Sequence, residues 1–553
     1  MTRTERIFAF LVVLGAFLVR VWMLDDRPTH FDEGVNGSFV DEMRSQGYYA
    51  YDPQNYHGPL HFYALFAAQQ LGGRSLWALR MPTVLIGTAA VALMFAFRRW
   101  LSFRATLVAA LTMALSPAMI FYSRDAIHEM WLVFFVMLAS YGGMGLMSEP
   151  GPRDRWWLGL GLTGMILTKE TYLLHFVAAA AAWGCVWLMG QATGGALAFD
   201  ERPDAAALFN PRRQRQQLAI LGSAEAERVA NRKVFAVCIG LLIAFYSGFG
   251  MHWAGAIGPL ETWSYMFHKG YSSGPNSEEG HHKAWWYYGW LLCRYEWPAV
   301  IGVVMAPLVA ISPARNVPVG LRFLALFGLG SLAGYSLISY KTPWCMIAAL
   351  PAFFLVVGWL FDQLAAYVGE GSTERLSMAL LLVMLLGQPA WSAWRLNFRN
   401  PTNDEDRLKT GYVYVQTTRD IEKLLKPLRA LIARDPLNKY VRGKIFSEPS
   451  PLVWELNDLP GVEFIDATES PQDDAYDADF LLFPRSAGPE VEYPGDREWE
   501  IRHRLRGVYF EIPYLPRAYG EPCWLFLNAE RFGEFYPGRE PEFHPRVREE
   551  AAR

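Results

Sequence analysis

The stretch IFAFLVVLGAFLVRVWMLDDRPTHFDEGVN, residues 7–36, joins two features that seldom meet in a soluble protein. Its apolar run, Ile7 to Leu24, is long enough to cross a bilayer. Two adjacent carboxylates, Asp32 and Glu33, follow shortly after it. Ionisable groups at the edge of an apolar phase are costly to keep and tend to mark a working site. The pair points to chemistry on a substrate that is half lipid and half polar. Arg3 and Arg6 precede the run and no small-x-small cleavage site follows, so it reads as an uncleaved first span with a cytoplasmic N-terminus.

Outward from this stretch, composition divides the chain. The whole has 553 residues, 52% hydrophobic and 19% charged, with 21 Trp, but these values average two unlike parts. Residues 1–395 carry repeated apolar runs and residues 396–553 are polar, charged and Pro-rich. Candidate spans lie at roughly 7–24, 76–98, 104–121, 127–147, 156–168, 171–190, 233–251, 297–312, 321–338, 344–366 and 376–394. Segments 58–71 and 284–293 are too short to cross and read as helices lying at the membrane interface. The expected fold is therefore mainly α: a polytopic helix bundle of about eleven spans with a C-terminal soluble α/β domain.

With that topology Arg98, Arg99, Arg104, Arg153, Arg155, the basic loop from Arg202 to Lys233, Arg315 and Arg375 fall inside. The odd span count puts the C-terminal domain outside; with no processing signal beyond the first span, the expected location is the plasma or inner membrane. A net charge of −3 offers no basic excess for nucleic acid. The five Cys fall singly without CxxC spacing, which argues against disulfides.

The same topology gathers unusual polar residues at external helix ends: Asp32 and Glu33, His57 and His61, Arg124, Asp125, His128 and Glu129, Lys169 and Glu170, Lys341, and the loop holding His268, Glu278, Glu279, His281, His282 and Lys283. Each has a plainer reading. Asp32 and Glu33 suit a helix cap. Lys169 and Glu170 suit an ion pair, and Lys341 suits snorkelling to the interface. His281 and His282 suit an ordinary loop. Asp125, His128 and Glu129 at i, i+3 and i+4 share a helix face, a spacing that fits metal ligation as well as solvated charges, so a divalent cation stays open. The convergence of the set on one external cavity is the stronger signal.

Such a cavity suits a sugar joined to a polyprenyl phosphate. Breaking the glycosidic bond leaves a phosphate monoester with a second negative charge, which Arg124, Lys169 or Lys341 would stabilise. The incoming hydroxyl needs a base, which Asp32 or Glu33 would supply. A single base opposite the leaving group gives inversion at the anomeric carbon.

The membrane part resembles the GT-C superfamily of glycosyltransferases, in particular the protein O-mannosyltransferase and lipid A aminoarabinose transferase branch. The acidic pair, His57-Gly58-Pro59-Leu60 beside the family's HPPL, Arg80-Met81-Pro82, the run Ser116 to Arg124 and SYKTPW around Lys341 carry the resemblance. More narrowly it looks like a subgroup described as flippase-activity-associated in archaeal-type N-glycosylation, where YVYVQTTRD (Tyr412 to Asp420) is a familiar string. The resemblance implies a polyprenyl-phosphate sugar donor, a protein or glycolipid acceptor, Asp32 as the acid nearest the acceptor, and phosphate contacts from Arg124 and Lys341. His57, Asp125, His128, Glu129, Lys169, Glu170 and His282 complete the expected binding site. The second external loop lacks a clean Asp-x-Asp, a departure from the pattern of the metal-dependent oligosaccharyltransferases, and a divalent metal stays open. Rival classes are a lipid-linked-sugar flippase and a non-catalytic accessory protein; the lack of an internal repeat weighs against the first.

In the C-terminal part, Tyr412–Gln416, Lys444–Phe446, Phe464–Ile465, Asp479–Phe483 and Gly507–Ile512 read as strands, and Ile421–Ala433 and Pro451–Leu459 as helices. No phosphate loop or catalytic constellation is visible there. Acceptor binding or closure over the cavity is its expected role, and the Arg-rich tail (Arg546, Arg548, Arg553) reads as disordered.

Overall fold

The computed structural model describes residues 1–148, 150–193, 224–264, 282–314, 316–369, 371–399, 411–465, 478–485, 498, 501–502, 505–517 and 520–544. They form two compact units. The first contains residues 1–24 and 40–400, the second residues 25–39 and 401–553. The expected division at 395/396 therefore misses a short N-terminal segment, the one that carries Asp32 and Glu33.

In the first unit a helix occupies each of the eleven apolar stretches. They are α1 (Arg3–Val21), α4 (Leu76–Met94), the pair α5 (Phe103–Leu115) and α6 (Pro117–Ser123), α7 (Glu129–Ser148), α8 (Pro152–Ile166), α9 (Tyr172–Ala192), α10 (Ala224–Tyr246), α12 (Trp297–Ile311), α13 (Val319–Leu337), α14 (Leu350–Val368) and α15 (Ser372–Trp394). Helix α2 (Phe31–Gln46) precedes the interfacial candidates, which fold as α3 (Leu60–Gly72) and α11 (Tyr287–Tyr295). Among the described residues seven helices are long and apolar enough to cross a membrane, or eight if the bent pair α5–α6 is one span. The figure of about eleven exceeds this because α8 and α12 have only 15 residues each and α1 carries several charges.

Close helix contacts follow from small residues. A Cβ on Gly161 of α8 would lie 2.4 Å from the Ala139 backbone nitrogen, and one on Gly142 of α7 2.3 Å from that of Leu158, so these glycines permit the α7–α8 approach. The α5–α6 break bends by 58° at Ser116-Pro117. Its new helix start is satisfied from α12's leading edge: buried Glu296 accepts from Ser116 Oγ and from the Ala118 backbone N–H, both at 2.8 Å. A proline at the first turn of α6 has no N–H to lose there.

Two buried arginines close helix C-termini, where carbonyls lack intrahelical partners. Arg124 donates to the carbonyls of Arg20 at 3.0 Å and Met23 at 2.7 Å, at the end of α1. Arg322 donates to Ala310 at 2.9 Å, Ser312 at 2.7 Å and Ala314 at 3.0 Å, at the end of α12.

The second unit contains a six-stranded sheet of order β2-β1-β3-β5-β4-β6. The strands are β1 (Gly443–Ile445), β2 (Val462–Phe464), β3 (Phe480–Pro484), β4 (Gly507–Tyr514), β5 (Cys523–Asn528) and β6 (Glu542–His544). β1 runs parallel to β2 and β3, and the other pairs are antiparallel. Helix α16 (Ile421–Arg434) packs Ile421, Leu424, Leu425, Leu428 and Leu431 into one core with Ile445, Phe480, Leu482, Leu525 and Leu527. Leu481, Phe483, Tyr509 and Phe526 point the other way into a second core, as the alternation of a strand requires. Residues 412–416, expected as a strand, join no ladder among the described residues; the nearest pairing is an isolated bridge between Thr417 and Arg517. The short helix expected near 451–459 is α17 (Leu452–Glu455), and α18 (Ala529–Phe532) follows β5.

Candidate active site

The acidic pair lies in the first turn of α2, and its two members have different surroundings. Glu33 is fully buried, and its Oε2 accepts the backbone N–H of His30 at 2.8 Å, the reciprocal bond that closes a helix N-terminus. The plainer capping reading therefore describes Glu33. Asp32 keeps 40% of its side chain exposed, with its backbone N–H donating to His30 Nδ1 at 3.1 Å. Within the same unit, Thr29 bonds Glu455, Arg419 pairs with Asp26 at 3.1 Å, and Ser450 bonds the Phe31 carbonyl. Gly34 is needed because a Cβ there would sit 2.5 Å from the Pro451 backbone.

In the first unit the loop before α3, the start of α7 and the α8–α9 turn converge. His57 Nδ1 donates to Glu170 Oε2 at 2.8 Å. The His57 ring lies 4.5 Å from that of His128, which lies 4.3 Å from that of His61. His61 Nε2 donates to the Ala126 carbonyl at 3.0 Å. Lys169 forms a buried ion pair with Glu129. Burial works to lower the Lys169 ammonium, but Glu129 and Glu170 outweigh it and hold it above its usual value. Burial works to raise the Glu170 carboxyl, yet His57 and Lys169 hold it below the carboxylate range. Asp125 and His128 are buried in the turn between α6 and α7, and only Glu129 is helical. The shared helix face expected for Asp125, His128 and Glu129 therefore does not form. Among the described residues, no group of three or more His, Cys, Asp or Glu is placed to hold a metal ion.

Lys341 is 2% exposed, and its ammonium donates to the carbonyls of Lys283, at 3.0 Å, and Ile338. No carboxylate pairs with it among the described residues. Burial pushes the ammonium below its usual value. His282 reaches the same place through a backbone bridge to Tyr340. Thr342 Oγ1 lies 3.0 Å from Cys345 Sγ, which ties the Lys341 turn to the start of the helical run Cys345–Val368. His268, Glu278, Glu279 and His281 lie outside the described residues, as do the basic loop at 202–223 and the Arg-rich tail.

Arg124, expected to contact phosphate, donates instead to the carbonyls that close α1. Sequence reasoning passed over His175, whose Nδ1 lies 3.2 Å from Ser331 Oγ and Nε2 3.3 Å from the Tyr335 hydroxyl, pinning α9 to α13. A histidine inside the apolar run after Lys169 was the available signal.

Residues 56–194 match the family model described as dolichyl-phosphate-mannose-protein mannosyltransferase. No curated protein matches the chain by sequence. In fold, the chain is similar to ArnT from Cupriavidus metallidurans in the apo state, with a TM-score of 0.56 and 12% identity over 94% of this chain and 97% of that one. The same protein bound to undecaprenyl phosphate gives a TM-score of 0.55 and 14% identity, covering 95% of this chain and 98% of that one. The Archaeoglobus fulgidus oligosaccharyltransferase in the apo form gives 0.53 and 11% identity, covering 92% of this chain and 73% of that one. The chain therefore shares its fold with these glycosyltransferase structures, and among the described residues it has seven or eight helices long and apolar enough to cross a membrane.

Proposed function

We propose that this protein is an inverting glycosyltransferase that moves a sugar from a polyprenyl-phosphate donor to an acceptor on the extracytoplasmic side. The observation that carries the reading is Lys341, a buried ammonium held by carbonyls with no carboxylate beside it among the described residues. Such a cation is poorly compensated until an anion arrives. A phosphodiester headgroup supplies one negative charge and gains a second as the sugar leaves, so the lysine stabilises the transition state more than the ground state. The undecaprenyl phosphate in the ArnT complex is the same class of ligand.

For the base we retain Asp32, on the sequence resemblance and on its exposed carboxylate. Glu33 holds the helix start instead. A carboxylate that takes the acceptor's proton while the acceptor oxygen attacks the anomeric carbon gives inversion. The eleven-span topology, with the N-terminus inside and residues 396–553 outside, belongs to this proposal. The acceptor is a protein or a glycolipid.

The test uses purified protein in nanodiscs, offered radiolabelled undecaprenyl-phosphate sugars with peptide and glycolipid acceptors. Transfer that disappears in Asp32→Asn supports the reading. Movement of the lipid-linked sugar between leaflets of proteoliposomes, without transfer, would replace it with a flippase.

A further inference from the structure

The site contains a pair that charge stabilisation by Lys341 leaves unexplained. His57 Nδ1 is fixed on Glu170 at 2.8 Å, so its other ring nitrogen, Nε2, is turned away from that carboxylate. The His57 side chain is 25% exposed, whereas that of Glu170 is 7% exposed. A carboxylate behind one imidazole nitrogen sets the tautomer and leaves the other nitrogen for proton traffic.

The groups around the pair come from several elements. Glu129 and Lys169 form a closed ion pair. The His128 ring lies 4.5 Å from that of His57, tilted by 32°, with His61 behind it. Tyr56 meets the ring edge-on at 4.7 Å, and Tyr51 and Tyr172 lie on the Glu170 side. The ammonium of Lys169 is already committed to Glu129. In the transferase reading, Lys341 offers one positive charge to a departing phosphate monoester that would carry two negative ones. A second uncompensated charge there is expensive. A proton removes it.

We propose that His57, oriented by Glu170, is the proton donor to the phosphate left on the polyprenyl carrier, with Glu170 as its positioning residue. This rests on the transferase reading above. In the step, the acceptor oxygen bonds to the anomeric carbon, and the carbon–oxygen bond to phosphate breaks with its electron pair going to the phosphate oxygen. The acceptor's proton goes to the base. With the ring doubly protonated, the proton on His57 Nε2 moves to the phosphate, giving a monoanion; the base then releases its proton to water, and water returns one to the ring. The net reaction moves one proton from acceptor to phosphate, and nothing is oxidised or reduced. The phosphate is already a good leaving group, so the donor acts mainly on the charge of the carrier product and its release.

The test uses the full-length protein, labelled with ¹⁵N-histidine, in nanodiscs titrated with undecaprenyl phosphate from about pH 5 to 8, the range in which histidine and phosphate monoesters exchange protons. The expected result is a His57 signal, assigned by its absence in His57→Gln, that moves at Nε2 when the lipid binds. The ³¹P titration midpoint of the bound lipid should differ between wild type and His57→Gln. Glu170→Gln should change the tautomer signal and remove that difference, and Glu170→Asp should restore part of it. Saturable lipid binding with an unmoved His57 signal and one common ³¹P midpoint would overturn the donor role while sparing the transferase reading. Absence of any undecaprenyl phosphate binding would remove both. Should His57→Gln not fold, the contrast between Glu170→Gln and Glu170→Asp carries the same test, since both keep His57.

Discussion

Arg124 donates to the carbonyl of Met23 at 2.7 Å, so an arginine that opens the α6–α7 turn finishes a helix lying a hundred residues earlier in the chain. Charge-assisted bonds of this kind contribute roughly 1.5–3 kcal/mol. Arg124→Gln should lower thermal stability by about 2 kcal/mol or more. It should leave undecaprenyl phosphate affinity nearly unchanged in the fraction that folds. A normal melting curve with weakened lipid binding would return Arg124 to the phosphate site.

Lys341 should behave in the opposite way. Lys341→Ala removes a buried cation that has no carboxylate partner among the described residues, so the fold should tolerate the change while undecaprenyl phosphate affinity drops by about tenfold or more. Burial lowers the lysine's pKa, and only the protonated form attracts an anion. Wild-type affinity should therefore decline with rising pH before the ordinary lysine value of about 10.4 is reached. Equal affinities for wild type and variant would take Lys341 out of the site.

The Glu170 carboxyl is depressed, burial being outweighed by His57 and Lys169. For a carboxylate with a lowered folded-state pKa, the stabilisation is fully present above the unfolded value and is lost as pH falls through the folded one. The protein should therefore lose stability in the acid range below about pH 4.3, and Glu170→Gln should flatten that part of the profile. Urea midpoints measured across that range provide the check.

Asp32 and Glu33 should separate cleanly. Asp32→Asn should abolish transfer with an unchanged melting temperature. Glu33→Gln should weaken the helix start by about 1 kcal/mol and spare most of the turnover. Equal activity losses at matched stability would show that the two acids share the chemistry.

The apolar stretches were legible because length and composition determine whether a run can be a membrane helix, and a helix stands at each one. The bend at Ser116-Pro117 was harder to read, since the acceptor that satisfies its freed donors is Glu296, supplied from far along the chain. The polar residues around His57 and Lys169 stood out as ionisable groups in apolar surroundings. Their pairing did not, because Glu129 with Lys169 and His57 with Glu170 depend on which helix ends meet. The same holds for Arg124, where sequence offers a cation but not the carbonyls it faces. In the sheet, residues 412–416 have strand-like composition, yet among the described residues no strand edge pairs with them. β5 went unnoticed because its apolar run lies between two proline- and charge-rich segments.

The grouping of residues 25–39 with 401–553 bears on when this protein becomes competent during its manufacture. Thr29 finds its partner Glu455 at a separation of 426 positions. A ribosome that has delivered every apolar helix has still not delivered the residues on which the acid-bearing stretch settles, and contacts of such long range are slow to close. Premature termination ahead of Glu455 would thus leave a product whose acid-bearing stretch lacks the partner on which it settles.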